Sequence, residues 1–199
     1  GESIKKASVS DRSKDISRVF QDPRMGTATN LSIEENMAIA YRRGKKPSFF
    51  KRSITEEERD LFKKELKHLG LGLENRMKTD ANFLSGGQRQ ALTLAMATLV
   101  RPKVLLLDEH TAALDPKTSD MVMNLTRKVV EEQKLTTLMV THNMEHAIEY
   151  GNRLIMLFQG KIVVDVKGEE KRRLTVAQLM DLFHKNSGHR LSDDALVLS

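Results

Sequence analysis

An uninterrupted apolar run, Val104–Leu107, ends in two carboxylates, Asp108 and Glu109. A run of this kind predicts a strand that is covered on both faces, as in a parallel sheet. A helical pattern and a second apolar run at 136–141 follow it, and this alternation predicts an α/β fold with a parallel sheet. Ligands of such sheets bind beyond the carboxyl ends of the strands. The two carboxylates are therefore expected at the ligand-binding edge, where His142 follows the second strand.

The composition predicts a globular protein. Hydrophobic residues make up 39% and charged residues 30% of the 199 residues, and the lack of cysteine excludes disulfides and cysteine-based metal sites. The net charge of +6 is spread along the chain, so we interpret it as a solvated surface and expect no nucleic-acid partner. No apolar run reaches the roughly 18 residues of a membrane span, so the chain is expected to be soluble or held at a membrane by a partner.

Capping residues and hydrophobic periodicity locate the helices. Ser32 and Thr55 each precede a glutamate by three residues, the spacing of a capping box, and Ser85 is predicted to cap a largely apolar helix. Asp115 is followed by a proline suited to the first helical position. The predicted strands are 16–20, 104–107, 136–141 and a hairpin of 154–158 with 161–166; the predicted helices are 33–41, 56–69, 86–99, 116–133, 144–150 and one from 176. The predicted loops are 1–15, 42–53 (with Gly44 and Pro47) and the tail from Asn186.

The polar residues that follow the strands suit phosphoryl transfer, which needs charge neutralisation, a metal ion and an oriented water. Asp108 offers a hard oxygen ligand for Mg²⁺, directly or through water. Glu109 can accept a proton or orient the attacking water, and His142 can donate a hydrogen bond to a phosphate oxygen. Gln21 follows a strand of its own and can contact the metal or the water.

The segment Ser85-Gly86-Gly87 is a predicted anion site at a helix N-terminus, where free N–H groups point outward and glycines let a phosphate approach the backbone. Each feature has a plainer interpretation when it is taken alone. The segment could be a simple helix cap, Asp108-Glu109 an ordinary exit from a strand, and His142 a surface histidine. Asp115-Pro116 is fully explained as a helix start, and Gln21 alone indicates nothing.

As a set, these segments resemble the ATPase engine of ATP-binding-cassette (ABC) proteins. Five motifs occur in family order and at family spacing between about residues 16 and 166. They are a Q-loop (Val19-Phe20-Gln21-Asp22-Pro23), a signature motif (Leu84-Ser85-Gly86-Gly87-Gln88-Arg89-Gln90), a Walker B strand (Val104–Glu109), a D-loop (Ala113-Leu114-Asp115-Pro116) and an H-loop (Val140-Thr141-His142). The resemblance implies a RecA-like P-loop NTPase core, with a mainly parallel but incomplete sheet and an inserted α-helical subdomain.

The same resemblance implies four parts of the chain. Residues 1–21 are expected to be a remnant of the N-terminal strands of the catalytic core, and residues 22–100 the helical subdomain with the signature motif. Residues 101–167 are expected to hold the catalytic core with Walker B, the D-loop and the H-loop. Residues 168–199 are expected to form a C-terminal helix and tail.

The resemblance also assigns a role to each motif residue, with ATP and Mg²⁺ as the implied ligands. Asp108 is the implied magnesium-site carboxylate, Glu109 the catalytic base or water-orienting group, and His142 the contact to the γ-phosphate. Gln21 would sense both the metal and the nucleotide. In this family two cassettes enclose two ATP molecules head to tail, and Asp115 would reach across the interface. The residues implied to contact ATP held by the other cassette are Ser85, Gly86, Gly87 and Gln88.

Two departures from the family pattern matter. His110 follows the Walker B glutamate, where the family usually has proline, and we interpret it as a subgroup variant rather than as an extra proton donor. The 199 residues also contain no phosphate-binding loop of the form G-x-x-x-x-G-K-[ST], the Walker A motif. Gly44-Lys45-Lys46 does not replace it, because the earlier glycine and the Ser or Thr are absent. We therefore expect an N-terminally truncated cassette that is inactive alone.

The leading hypothesis is the ATP-binding and ATP-hydrolysing subunit of an ABC transporter. A cassette without fused membrane segments is typical of bacterial-type importers, and residues 108–116 resemble, weakly, the cassettes of amino-acid uptake systems. The expected partners are a second cassette and transmembrane permease subunits, which residues 21–53 would face at the cytoplasmic side of the membrane. The alternatives are a non-transport ABC ATPase acting on nucleic acid or ribosomes, and a non-catalytic half-cassette that lends its signature motif to another subunit.

Overall fold

The computed structural model describes residues 3–45 and 53–187. Part of the predicted loop at 42–53, including Pro47, lies outside the described residues, as does most of the predicted tail. The chain forms two compact units, Gly1–Val140 and Thr141–Ser199.

The first unit combines α-helices with parallel strands. Its elements in chain order are α1 (Val9–Asp15), β1 (Ile16–Val19), α2 (Ile33–Tyr41), α3 (Glu56–Lys67), α4 (Gly86–Leu99), β2 (Val104–Asp108), α5 (Pro116–Glu132) and β3 (Thr136–Val140). Helices α2 and α4 begin and end at the predicted residues. Complete capping boxes at Ser32 and Ser85 determine where they start, because each satisfies N–H groups that would otherwise lack partners.

The prediction of a loop over residues 1–15 is wrong, because residues 9–15 form helix α1. Ser8 caps this helix: its Oγ accepts a hydrogen bond from the Asp11 N–H (3.1 Å) and donates one to the Asp11 carboxylate (2.7 Å). None of the residues of α1 is buried. A short helix without an apolar face leaves no periodic hydrophobic signal in the sequence.

The three strands form one parallel sheet in the order β1-β2-β3, which confirms the predicted α/β fold. Val19 pairs with Leu107 in the register of β1 and β2. Asp108 pairs with Val140 in the register of β2 and β3, so it lies at the carboxyl end of the central strand. One face of the sheet packs against α4 and α5. The buried residues of this core are Val19, Ala91, Leu94, Ala97, Leu105, Leu107 and Leu125.

The prediction that β2 and β3 are covered on both faces is wrong. Buried and half-buried residues alternate along β2, and the exposed fractions of Leu138 and Val140 on β3 are 58% and 51%. Helices α4 and α5 cover one face of the sheet, and within the described part of the chain the face that carries these two side chains stays accessible to solvent. The apolar residues therefore predicted the strands β2 and β3 correctly, but they did not show how many faces of the sheet are covered.

Helices α2, α3 and α4 surround a second core in the first unit. Its fully buried residues include Ile33, Met37, Phe62, Leu66, Leu73 and Leu92. Arg43, just beyond α2, ties this helical layer to the sheet. Its guanidinium donates hydrogen bonds to the Ala97 (3.1 Å) and Val100 carbonyls at the end of α4, and to Ser17 Oγ on β1. Burial among these neutral acceptors lowers the pKa of Arg43.

The second unit is built around a hairpin. Its elements are α6 (Met144–Glu149), β4 (Arg153–Phe158), β5 (Lys161–Lys167), α7 (Gly168–Arg172) and α8 (Val176–Ser187). The strands are antiparallel, and the φ angles of Gln159 (47°) and Gly160 (75°) are both positive, as in a type I′ turn, which confirms the predicted hairpin. Leu154, Val164, Val166 and Leu179 form its buried core. Across the described ranges, no helix has both the length and the apolar character needed to traverse a bilayer.

Candidate functional site

Two carboxylates lie where the central strand ends. Asp108 is the last residue of β2, and its side chain is 39% exposed. Glu109 has a φ of 43°, in the left-handed region that non-glycine residues rarely adopt. The Glu109 N–H donates to the Val140 carbonyl (3.0 Å), and the Glu109 carbonyl accepts from the Ala112 N–H (2.9 Å). These bonds hold the turn beyond β2 against β3, so the structure brings both predicted carboxylates together at the carboxyl end of the central strand.

Arg18 of β1 forms an ion pair with Asp108, in which the arginine Nη2 donates to Asp108 Oδ2. The guanidinium also lies over the Phe20 ring, with its Cζ 4.7 Å from the ring centroid. Sequence reasoning missed this residue, because the contact depends on the register of two strands and joins residues 90 positions apart. The one available signal was a positive charge inside a predicted strand.

Gln21 follows the end of β1 and is exposed at the same edge of the sheet. The chain before it is anchored by Gln90, a fully buried residue of α4 whose Nε2 donates to the Phe20 carbonyl (3.2 Å). The chain after it is anchored by Asp22, whose carboxylate accepts from the Arg24 N–H (2.9 Å). The backbone on both sides therefore fixes the position of Gln21. Gln90 belongs to the predicted signature motif, but sequence reasoning did not predict its contact with Phe20.

The predicted anion site begins α4. Ser85 Oγ accepts from the Gln88 N–H, and Gln88 Oε1 accepts from the Ser85 N–H, both at 3.2 Å. This capping box confirms that Ser85 is the N-cap of the helix. Ser85 and Gly86 are exposed and Gln88 is half-buried, whereas Gly87 is buried.

Close packing also explains why positions 86 and 87 of this segment are both glycine. A Cβ on Gly87 would lie 2.4 Å from Thr118 Cγ2 of α5, and a Cβ on Gly86 would lie 3.2 Å from Leu114 Cδ2. Gly87 therefore lets α4 approach the start of α5 more closely than any other residue would allow. This contact brings the predicted signature motif and the predicted D-loop together within one chain.

Asp115 caps α5, as predicted. Its Oδ1 accepts from the Thr118 N–H (3.1 Å). Hydrogen bonds from the Thr118 hydroxyl and N–H hold the pKa of Asp115 below its ordinary value. An ionised carboxylate is also favoured at the positive end of a helix dipole. The structure thus accounts for Asp115 as a cap, and its contact across an interface stays a prediction.

His110 is buried, with 2% of its surface exposed. Its Nε2 lies 3.1 Å from Thr126 Oγ1, and that hydroxyl donates its proton to the Val122 carbonyl (2.8 Å). Since a hydroxyl has one proton, Nε2 is the donor in the bond to Thr126. The bond joins the turn beyond Glu109 to α5, and the interpretation of His110 as a subgroup variant stays a prediction.

His142 belongs to the second unit and lies two residues beyond the end of β3. Asn143, the next residue, caps α6, since its Oδ1 accepts from the His146 N–H (2.9 Å). The carboxylates Asp108 and Glu109 belong to the first unit. A position of His142 beside them therefore stays a prediction.

Among residues 3–45 and 53–187, no group of three or more His, Cys, Asp and Glu side chains could hold a metal ion by itself. Mg²⁺ that binds with a nucleotide needs fewer protein ligands, because phosphates and waters complete its octahedral shell around one or two carboxylates. Asp108 supplies such a hard oxygen donor at the end of a strand. The residues present therefore fit Mg²⁺ bound together with a nucleotide.

A protein-family model described as "ABC transporter" matches residues 1–112. This span contains Gln21, the signature motif and the two carboxylates Asp108 and Glu109. Asp115 and His142 lie beyond the matched residues.

Two curated relatives are ATP-binding proteins of uptake or transport systems. The tyrosine transport ATP-binding protein of Clostridioides difficile (strain R20291) is 48% identical over 172 residues, which cover 86% of this chain and 68% of that protein. The methionine import ATP-binding protein MetN of Clostridium tetani (strain Massachusetts / E88) is 38% identical over 149 residues, which cover 75% of this chain and 43% of that protein.

A solved structure has the same fold: the dimeric post-hydrolysis state of the ATP-binding cassette MJ0796 bound to ADP and Pi. Its TM-score is 0.63 at 31% identity, over 79% of this chain and 65% of that chain. This match confirms the predicted RecA-like P-loop NTPase fold. A family model that matches more than half of the residues, a relative at 48% identity and a cassette structure thus identify the chain as a member of the ABC transporter family, similar to its ATP-binding subunits.

Proposed function

We propose that the protein carrying this chain hydrolyses ATP to drive uptake through a membrane permease, as the ATP-binding subunit of an importer. The observation that carries the proposal is the position of Asp108-Glu109 at the carboxyl end of the central strand of a parallel sheet. The names of the relatives support it, since they describe transport or import ATP-binding proteins. The tyrosine and methionine systems among them favour an amino acid or a similar small molecule as the cargo.

Glu109 is the proposed catalytic residue, which accepts a proton from the attacking water or orients it toward the γ-phosphate. Backbone hydrogen bonds on both sides of Glu109 hold it in place before any substrate arrives, which favours a defined attack geometry. Asp108 and Gln21 would hold Mg²⁺, which supplies charge neutralisation for the phosphate oxygens when it is bound. His142 would donate a hydrogen bond to the γ-phosphate.

A second cassette would complete the site, as the dimeric state of the solved cassette suggests. Ser85 and Gly86 are exposed at the N-terminus of α4, where they can contact ATP held by a partner. The Gln88 side chain is engaged in the capping box, and Gly87 is buried against α5. We therefore assign the phosphate contact to Ser85 and Gly86, and a shaping role to the other two residues. Asp115 would reach toward the partner.

The proposed place of action is the cytoplasmic face of a membrane, with the helical layer of α2 and α3 toward the permease. The phosphate-binding loop would be supplied by residues other than these 199, because none of them forms G-x-x-x-x-G-K-[ST]. The proposal therefore concerns a complex in which this chain contributes the strand-end carboxylates and the signature motif.

The test is ATP turnover by the complex of this protein with its permease in lipid vesicles. Glu109→Gln keeps the shape of the side chain and removes its proton affinity, so turnover should fall by about a hundredfold or more. Glu131→Gln, on the exposed surface of α5, is the matched control and should leave turnover unchanged. A Glu109→Gln complex that turns over at the normal rate would rule out the catalytic role of Glu109.

We propose one alternative function, which the same assay can separate from the first. In this alternative the chain is a non-catalytic half-cassette that lends its signature motif to ATP held by another subunit. Ser85→Arg would then abolish turnover of the complex by obstructing the helix N-terminus, while Glu109→Gln would have no effect. The pair of variants therefore separates the two candidates in one assay.

A further inference from the structure

We propose that Arg18 holds the place of a divalent cation at Asp108, so that a metal ion must displace the guanidinium before it can bind this carboxylate. The inference rests on the proposed role of Asp108 as a metal ligand. It identifies Arg18 as a residue that competes with the metal ion for Asp108 and so determines the metal affinity of this site.

The geometry of the sheet brings the two side chains together. In the parallel register of β1 and β2, Arg18 lies opposite Leu106, two residues before Asp108. Side chains two residues apart on a strand share one face, so Arg18 and Asp108 project from the same face of the sheet. The guanidinium Nη2 donates to Asp108 Oδ2, an oxygen that a metal ion would use.

The exposure of the pair makes the guanidinium displaceable. The Arg18 side chain is 51% exposed and the Asp108 side chain 39% exposed. Ion pairs at this exposure contribute little net stability, because water and salt screen the charges. A guanidinium in this position neutralises the charge of the carboxylate but can still be displaced by a metal ion. We therefore expect Arg18 to weaken metal binding at Asp108 by a modest factor and not to abolish it.

Phe20 connects this pair to the next segment of the chain. The Arg18 Cζ lies 4.7 Å from the centroid of the Phe20 ring, an arrangement that favours the cation over the ring face. Phe20 directly precedes Gln21, and its carbonyl accepts from the buried Gln90 (3.2 Å). Release of Arg18 from Asp108 would leave the contact between the guanidinium and Phe20, so metal binding at Asp108 is linked to the residue beside Gln21.

The experiment is a titration of this chain with MnCl₂, followed by the paramagnetic broadening of the Glu109 and Ala112 amide signals in NMR spectra. In Arg18→Gln, which removes the charge and keeps much of the side-chain length, the Mn²⁺ concentration at half-broadening should fall by about two- to fivefold. Arg18→Lys keeps the charge and should remain close to wild type. Arg153→Gln removes an arginine from the exposed pair with Asp165 in the second unit, and should leave the midpoint unchanged.

Asp108→Asn separates failure of this inference from failure of the proposed metal role. Loss of the broadening in Asp108→Asn, together with a lower midpoint in Arg18→Gln, is the expected result. An unchanged midpoint in Arg18→Gln would overturn the inference while the metal role of Asp108 stood. Broadening that persists in Asp108→Asn would overturn both. Broadening that is absent from every variant would overturn the inference but not the metal role, because that role is proposed for Mg²⁺ bound together with a nucleotide.

Discussion

Replacement of Gly87 by alanine should destabilise the first unit by about 1–2 kcal/mol. The new Cβ would lie 2.4 Å from Thr118 Cγ2 and 3.3 Å from Met121 Cε. The methionine end can move, but Thr118 is β-branched and its hydroxyl and N–H are bonded to the Asp115 cap, so α5 itself must shift. Overpacking of this kind costs about 1–3 kcal/mol, and alanine recovers about 0.5–1 kcal/mol of backbone entropy, so the central values leave a net loss of about 1.3 kcal/mol, within the stated range.

Urea unfolding, followed by far-UV circular dichroism, measures this loss through the transition midpoint. Gly86→Ala is the matched control, because its Cβ would meet only the flexible end of Leu114 at 3.2 Å and should change stability by less than about 0.5 kcal/mol. Adding Thr118→Ser to Gly87→Ala removes the clashing methyl and keeps the hydroxyl, so it should recover at least half of the loss. The packing argument fails if the two alanine variants are equally stable or if the serine brings no recovery.

Three further predictions concern buried or capping polar groups. His110→Ala should cost about 1–3 kcal/mol in the same urea assay, because it opens a cavity and removes the hydrogen bond to Thr126, and His110→Gln should recover part of this loss. Arg43→Ala should lower the thermal unfolding temperature, and Arg43→Lys should not restore it, because one ammonium cannot replace a planar fork that serves three acceptors. The pKa of Asp115 is lowered in the folded chain, so its contribution to stability is complete above the ordinary value of 3.8 and is lost as the pH falls through the folded value. The stability difference between wild type and Asp115→Asn should therefore shrink between about pH 5 and about pH 2, and a constant difference would contradict this assignment.

The starts of α2, α3 and α4 and the hairpin turn were predictable because they depend on residues close together in the chain. The capping partner of Ser32 and that of Ser85 each lie three residues later in the chain. Helices α2 and α4 therefore begin at the residues that the sequence analysis predicted. Gln159-Gly160 forms the predicted turn because a glycine tolerates the positive φ that a tight hairpin requires. The parallel sheet followed from the order of elements, and with it the edge that carries the carboxylates.

The contacts that sequence reasoning missed join residues that are far apart in the chain. The pair of Arg18 with Asp108 requires a strand register, and the approach of Gly87 to Thr118 requires a helix crossing. Neither leaves a trace in composition or periodicity. The exposure of Leu138 shows a related limit, because an apolar residue indicates a strand but not which neighbours cover it.

The left-handed backbone at Glu109 bears on which amino acids this position accepts. Glycine adopts such a φ freely and asparagine or aspartate does so readily, whereas a glutamate there costs on the order of 1 kcal/mol. Lys134 and Gln159 share the conformation, but both are exposed residues in turns. Glu109 is half-buried and directly follows Asp108, the proposed metal ligand. A survey of all substitutions at this position for folding alone should rank glycine and asparagine above the native glutamate, a preference opposite to the one expected from a survey for activity.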